Sequence, residues 1–92
     1  MTDRRGTLYP FAVEAAAQAT TGVARAALVP SQNTRVLALE LTPDAPPAAA
    51  ENVRQLLSWA ELDDIVPVKK IPVDRRHNAK VDYIALRQLL RR

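Results

Sequence analysis

The pattern of apolar and polar positions changes period several times along the chain, and each change marks an element. YPFAVEAAAQATTG puts a proline at a first helical turn, carries alanines through its middle and ends on Thr21 and Gly22. These are start and stop signals in the right order, and they predict a helix from about Pro10 to Thr20. VARAALVP and RVLALELT follow, separated by the turn-like SQNT, and the second alternates with Leu37, Leu39 and Leu41 on one side. Alternation of that kind is the signature of a strand, so the two segments predict neighbouring strands.

PDAPPAAA can run extended, and its last residues can open a helix because proline is tolerated in the first turn. A second helix is predicted from about Pro47 to Ala60. Its apolar positions Ala49, Val53, Leu56, Leu57 and Ala60 fall on one face, with Glu51, Arg54, Gln55 and Ser58 elsewhere, the pattern of a helix laid on a sheet. IVPVKKIPV is rich in β-branched residues but contains Pro67 and Pro72, which restrict it to an edge strand or two short pieces. Asp82 is a good N-cap for a last helix, Val81 before it can staple onto Leu86, and Leu86, Leu89 and Leu90 form the buried stripe. The order helix, strand, strand, helix, strand, helix predicts an α+β fold, a small sheet of about three strands covered by about three helices.

Composition narrows the picture. The 92 residues make one small domain with no room for a second core. Apolar residues are 48% of the chain but aromatics only 4%, so the core must be aliphatic and alanine-rich. The formal charge of +3 is too small to argue for a polyanion partner, and no specific nucleic acid is expected. The absence of cysteine removes disulfides, thiolate chemistry and cysteine-based zinc sites. No apolar run approaches the roughly 20 residues of a membrane span, and MTDRRGTLYP is not a signal peptide. A soluble, cytoplasmic chain is expected.

Candidate chemistry concentrates in IPVDRRHNAKVDYIAL, residues 71 to 86, which holds the single histidine and sets Lys80 in a loop between an apolar run and a helix. Arg75, Arg76 and His77 could bind phosphate, or they could be a solvated basic loop. His77 is a poor metal ligand because a mononuclear site wants three or four ligands and there is no second histidine. Asp63 and Asp64 point in different directions as adjacent residues and read as turn chemistry. Trp59 reads as a partly buried anchor. Arg87, Arg91 and Arg92 complement a helix C-terminus without needing a ligand. With two glycines, no Gly-rich phosphate loop and no Ser-His-Asp set, the chain does not look like a self-sufficient enzyme.

Two stretches together resemble a known family. IPVDRRHNAKVDYIAL resembles the C-terminal catalytic-lysine motif of the AMP-forming adenylating enzymes, which include acyl-CoA synthetases, fatty acyl-AMP ligases and peptide-synthetase adenylation domains. RGTLYPFAVEAA resembles the segment just after their hinge, where a glycine, a proline and a Val/Ile-Glu pair open the first helix of the mobile domain. The wider family ends its motif in Gly-Lys; here Ala79 replaces the glycine and the interval from Pro72 to Lys80 is longer. In those respects Pro72, Val73, Asp74, Arg76, His77, Asn78, Ala79 and Lys80 are similar to the branch containing the olefin-pathway β-lactone synthetases and related fatty acyl ligases.

The resemblance covers nearly the whole chain and implies that residues 1–92 are a single C-terminal lid domain. Lys80 is then the catalytic residue, reaching into a larger N-terminal domain to meet the substrate carboxylate and the α-phosphate oxygen during adenylation. Arg76, His77 and Asn78 are the substrate- or phosphate-side candidates. ATP and Mg2+ are implied as cofactors held mainly by the N-terminal domain, with coenzyme A or a carrier-protein phosphopantetheine as candidate acceptors. The implied partners are the N-terminal adenylation domain, a carboxylic acid and an acyl carrier protein. The isolated chain is expected to be inactive, and Met1 to be an expression start or the start of a split gene. Two other classes compete, a stand-alone protein-interaction module and a weak basic nucleic-acid binder using Arg75, Arg76, Arg91 and Arg92. The first lacks a groove signature and the second lacks aromatic interleaving.

Overall fold

The computed structural model describes residues 2–3, 6–29, 34–74 and 80–90. Its centre is a three-stranded sheet in the order β3 (Val23–Val29), β4 (Val36–Leu41), β5 (Asp64–Val68). β3 runs antiparallel to β4 with Leu28 opposite Leu37, and β5 runs parallel to β4 with Ile65 beside Leu37. Pro67 lies in β5 at the edge of the sheet, the only kind of position where a strand tolerates the missing N–H.

Alternation assigns the two faces. Ala26, Leu28, Leu37, Leu39 and Ile65 join Val13, Ala17, Val53 and Leu57 in one cluster, so α1 (Pro10–Gln18) and α2 (Ala49–Leu56) cover that side. Ala27, Val29 and Ala38 join Ile71 and Leu86 in a second cluster, so α3 (Tyr83–Leu90) covers the other side. The aliphatic core expected from composition is what the structure shows: Tyr9, Phe11 and Trp59 are exposed, and the fully buried side chains are Leu, Ile, Val and Ala.

Two ribbons of two-residue strands were not expected. β1 (Thr2–Asp3) pairs with β2 (Gly6–Thr7), and β6 (Val73–Asp74) pairs with β7 (Lys80–Val81), both antiparallel. The second helix also differs from its prediction. The proline run holds a turn, with the Ala49 N–H donating to the Pro46 carbonyl at 3.0 Å, so α2 starts at Ala49. At its far end Leu57 (φ −101°, ψ 25°) leaves helical geometry and a 3-10 turn, Ser58–Ala60, follows. Leu57 and Ala60 stay inward, while Leu56 and Trp59 stand 51% and 55% exposed. The apolar stripe is therefore narrower than predicted, and Trp59 is more exposed than the partly buried anchor the sequence predicts.

α1 closes as its punctuation predicts, two residues early, and Gly22 turns the chain into β3. Gly22 has φ +93°, and a Cβ there would lie 2.8 Å from Pro46 Cδ and 2.9 Å from Ala45 Cβ. Both the backbone conformation and the close approach exclude a side chain. Gly22→Ala is expected to lower stability by about 1–3 kcal/mol, measured as a shift of the urea midpoint.

Candidate functional site

The described parts of the segment singled out in the sequence pair as two short strands braced at their base. Ile71, fully buried, donates its N–H to Glu40 Oε1 of β4 at 2.7 Å. The Pro72 carbonyl accepts the Asp82 N–H at 2.9 Å, and beyond that bond Val73 faces Val81 and Asp74 faces Lys80 across the β6–β7 pair. Val81 packs on the second core cluster. Because side chains alternate along a strand, Lys80 turns away from that core, and its side chain is exposed. Lys80 thus opens a strand instead of lying in a loop. Asp74 is its cross-strand neighbour in the register. Arg76, His77 and Asn78, with Arg75 and Ala79, lie outside the described residues, as do Arg91 and Arg92.

The helix after Lys80 begins as predicted. Asp82 Oδ1 accepts the Ala85 N–H at 3.0 Å, the N-cap bond, and the Asp82 carbonyl accepts the Leu86 N–H at 3.0 Å. Val81 and Leu86 meet in the same cluster, the hydrophobic staple.

One contact at this helix start had no sequence prediction. Glu14, in the middle of α1, accepts two hydrogen bonds on Oε2: from the Leu28 N–H at 2.8 Å and from the Tyr83 hydroxyl at 2.9 Å. β3 is an edge strand, so Leu28 offers an N–H to the open side of the sheet, and the carboxylate satisfies it. The carboxylate thereby ties α1 and β3 on one side to α3 on the other. Burial, and then the hydrogen bond to Glu14 and its negative charge, push the Tyr83 phenol from 10.0 up to about 12. A raised phenol favours the protonated folded state: its contribution is complete below pH 10 and is lost as pH rises through about 12. An ultraviolet titration of phenolate should therefore show a step near pH 12 that disappears in Tyr83→Phe. A Tyr83 step at pH 10 would contradict the contact.

Other charged groups serve the frame. Asp64 Oδ1 accepts the Ile65 N–H at 2.8 Å, a local bond of the kind predicted for this pair, whereas Asp63 Oδ2 departs from that prediction by accepting the N–H of Arg35, 28 residues away, at 2.7 Å. Arg35, only 3% exposed, donates from Nη1 to the Ala60 carbonyl at 2.7 Å and from Nη2 to the Gly6 carbonyl at 3.3 Å, fastening two chain segments at one end of the sheet. Among the described residues there is no cluster of metal-ligating side chains, and no helix is long and apolar enough to cross a membrane. A groove of about 490 Å³ is lined by residues 66–68, Lys69, Lys70, Leu89 and Leu90. It meets α3 six residues beyond Tyr83, roughly 9 Å along the helix, so Lys80 is not part of it.

Lys80 is therefore an exposed cation on a braced pair of strands, outside the groove just described. Similar solved structures present the same architecture inside much larger proteins. The amide bond synthetase McbA from Marinactinospora thermotolerans superposes with a TM-score of 0.80 at 20% identity, covering 98% of this chain and 20% of that one. The fold is that of the small C-terminal subdomain of adenylate-forming enzymes. Apo MatB from Rhodopseudomonas palustris matches over 89% of this chain and 18% of its own, with a TM-score of 0.71 at 20% identity. An ATP-bound RpMatB-BxBclM chimera matches over 88% of this chain and 18% of its own, with a TM-score of 0.70 at 19% identity. The chain thus spans about a fifth of the length of these adenylate-forming enzymes. Neither the protein-family models nor the curated proteins include a match to the sequence.

Proposed function

We propose that this chain is the mobile C-terminal domain of an AMP-forming carboxylate ligase and that it delivers Lys80 to the adenylation site of a larger N-terminal domain. The observation that carries the reading is Lys80 itself, exposed at the first position of β7 on a subdomain with the adenylate-forming fold. In adenylation the substrate carboxylate attacks the α-phosphorus of ATP, the bond to the β-phosphate oxygen breaks, and acyl adenylate and pyrophosphate leave. Two anions approach one another in that step. An ammonium at their junction offsets the repulsion and the charge that builds in the transition state. Lysine suits this place because its charge is compact and its stem flexible.

This chain has no Gly-rich phosphate loop, so ATP and Mg2+ belong to the N-terminal domain, with Arg76, His77 and Asn78 as phosphate-side helpers beside Lys80. The domain then rotates away so that the second half-reaction can proceed, as lids commonly do. The motif from Pro72 to Lys80 points further, to a fatty acid as the carboxylate and to the branch of fatty acyl ligases and olefin-pathway β-lactone synthetases. Coenzyme A, a carrier-protein phosphopantetheine or an internal hydroxyl is then the acceptor. A cytoplasmic setting fits this chemistry.

Pyrophosphate exchange with ATP and a panel of fatty acids tests the proposal. The chain alone should stay at background, and together with its N-terminal domain it should support exchange. Exchange by the chain alone that survives stringent purification would overturn the division of labour.

A further inference from the structure

Among the described residues β6 and β7 share two residue pairs, too few to fix their own geometry, so where Lys80 points depends on what grips these strands from outside. Two carboxylates of the domain body do so. Glu40 on β4 holds the incoming strand through the Ile71 N–H at 2.7 Å, one residue before the Pro72 carbonyl that receives the Asp82 N–H. Glu14 on α1 holds the outgoing side through the Tyr83 hydroxyl at 2.9 Å, and is itself fixed by the Leu28 N–H at 2.8 Å. Tyr83 follows Lys80 by three residues, and three residues reach no further than roughly 10 Å. Its ring packs on the cluster around Leu86, so the hydroxyl reaches Glu14 from an already seated side chain.

We infer that Tyr83, locked by Glu14, is a positioning residue for Lys80: the pair fixes the outgoing strand, β7, so that the ammonium is held on line for adenylation. The inference rests on the function proposed above. It differs from a purely structural role because its effect must pass through Lys80. Tyr83→Phe keeps the ring and removes only the hydroxyl. Glu14→Gln keeps an oxygen able to accept from both Leu28 and Tyr83.

The test is made on the assembled enzyme, this chain with its N-terminal domain, with Lys80→Ala, Tyr83→Phe, Glu14→Gln and the Lys80→Ala/Tyr83→Phe double variant. At saturating ATP and acid, Tyr83→Phe should lower pyrophosphate exchange about tenfold, with KM values moved less than about twofold, because misplacement of a catalytic group acts on the chemical step. Glu14→Gln should lose less than Tyr83→Phe. The second half-reaction, started from pre-formed acyl adenylate, should be unchanged. In the Lys80→Ala background the tyrosine change should add no further loss, since the group it positions is gone. An equal loss in both half-reactions, or the same tenfold loss on top of Lys80→Ala, would make Tyr83 structural and overturn the inference. Full exchange in Tyr83→Phe alongside a damaged Lys80→Ala would overturn the positioning role and leave the function standing. Full exchange in Lys80→Ala would remove both.

Discussion

Lys80→Ala is expected to leave the fold intact and to lower adenylation by the assembled enzyme roughly 100- to 1,000-fold, the usual worth of one preorganised electrostatic contact at a transition state. The two halves of this expectation have separate physical sources. For stability, Lys80 is exposed, its alternation partner Val81 takes the core side of β7, and the ladder it joins is made by backbone groups that alanine retains. What remains is the cross-strand neighbourhood with Asp74, so unfolding free energy should change by less than about 0.5 kcal/mol, as at other exposed positions. For catalysis, the proposed function requires the same exposure, because the ammonium would have to enter a site on another domain. A stability loss with no specific effect on rate would reverse the assignment.

Leu86→Ala is expected to do the opposite, lowering stability by about 2–5 kcal/mol. Leu86 is fully buried in the cluster that joins Ala27, Val29 and Ala38 of the sheet to Ile71, with Val81 and Tyr83 packed against it. Truncation leaves a cavity where the sheet, the β6–β7 pair and α3 meet, and backbone bonds on both sides limit how far they can collapse. In a domain whose total stability is on the order of 5–15 kcal/mol, that is a large share. The urea midpoint should fall with little change in slope, and activity should fall with the folded fraction, equally in both half-reactions. A change below about 1 kcal/mol would mean that α3 is not seated through this residue.

The elements legible in the sequence are those whose signals are local. Pro10 and Gly22 bracket α1, the alternation through Leu37, Leu39 and Leu41 marks β4, and Asp82 with Val81 and Leu86 fixes the start of α3. The ribbons were missed because two residues carry no period. The break in α2 was missed because a 3-10 turn keeps Leu57 and Ala60 inward at helix-like spacing, while rotating Trp59 out. Lys80 is singled out by its motif, but its place at the head of a strand was not legible, since the two described residue pairs of that ladder, Val73–Val81 and Asp74–Lys80, are too few to carry a period. Glu14 and Tyr83 are 69 residues apart, and no window along the chain can join them. An isolated acid one position from the buried Val13–Ala17 stripe is the one local hint. Arg35 gives less still, because its partners Gly6 and Ala60 come from distant segments.

The claim that joins fold to function is that this domain lends a cation to one half-reaction and withdraws it for the other. The two half-reactions of Lys80→Ala, measured separately in the assembled enzyme, test it most directly. Adenylation, followed by pyrophosphate exchange, should drop roughly 100- to 1,000-fold, while transfer from pre-formed acyl adenylate should proceed at close to the parent rate. Equal loss in the two would contradict the account.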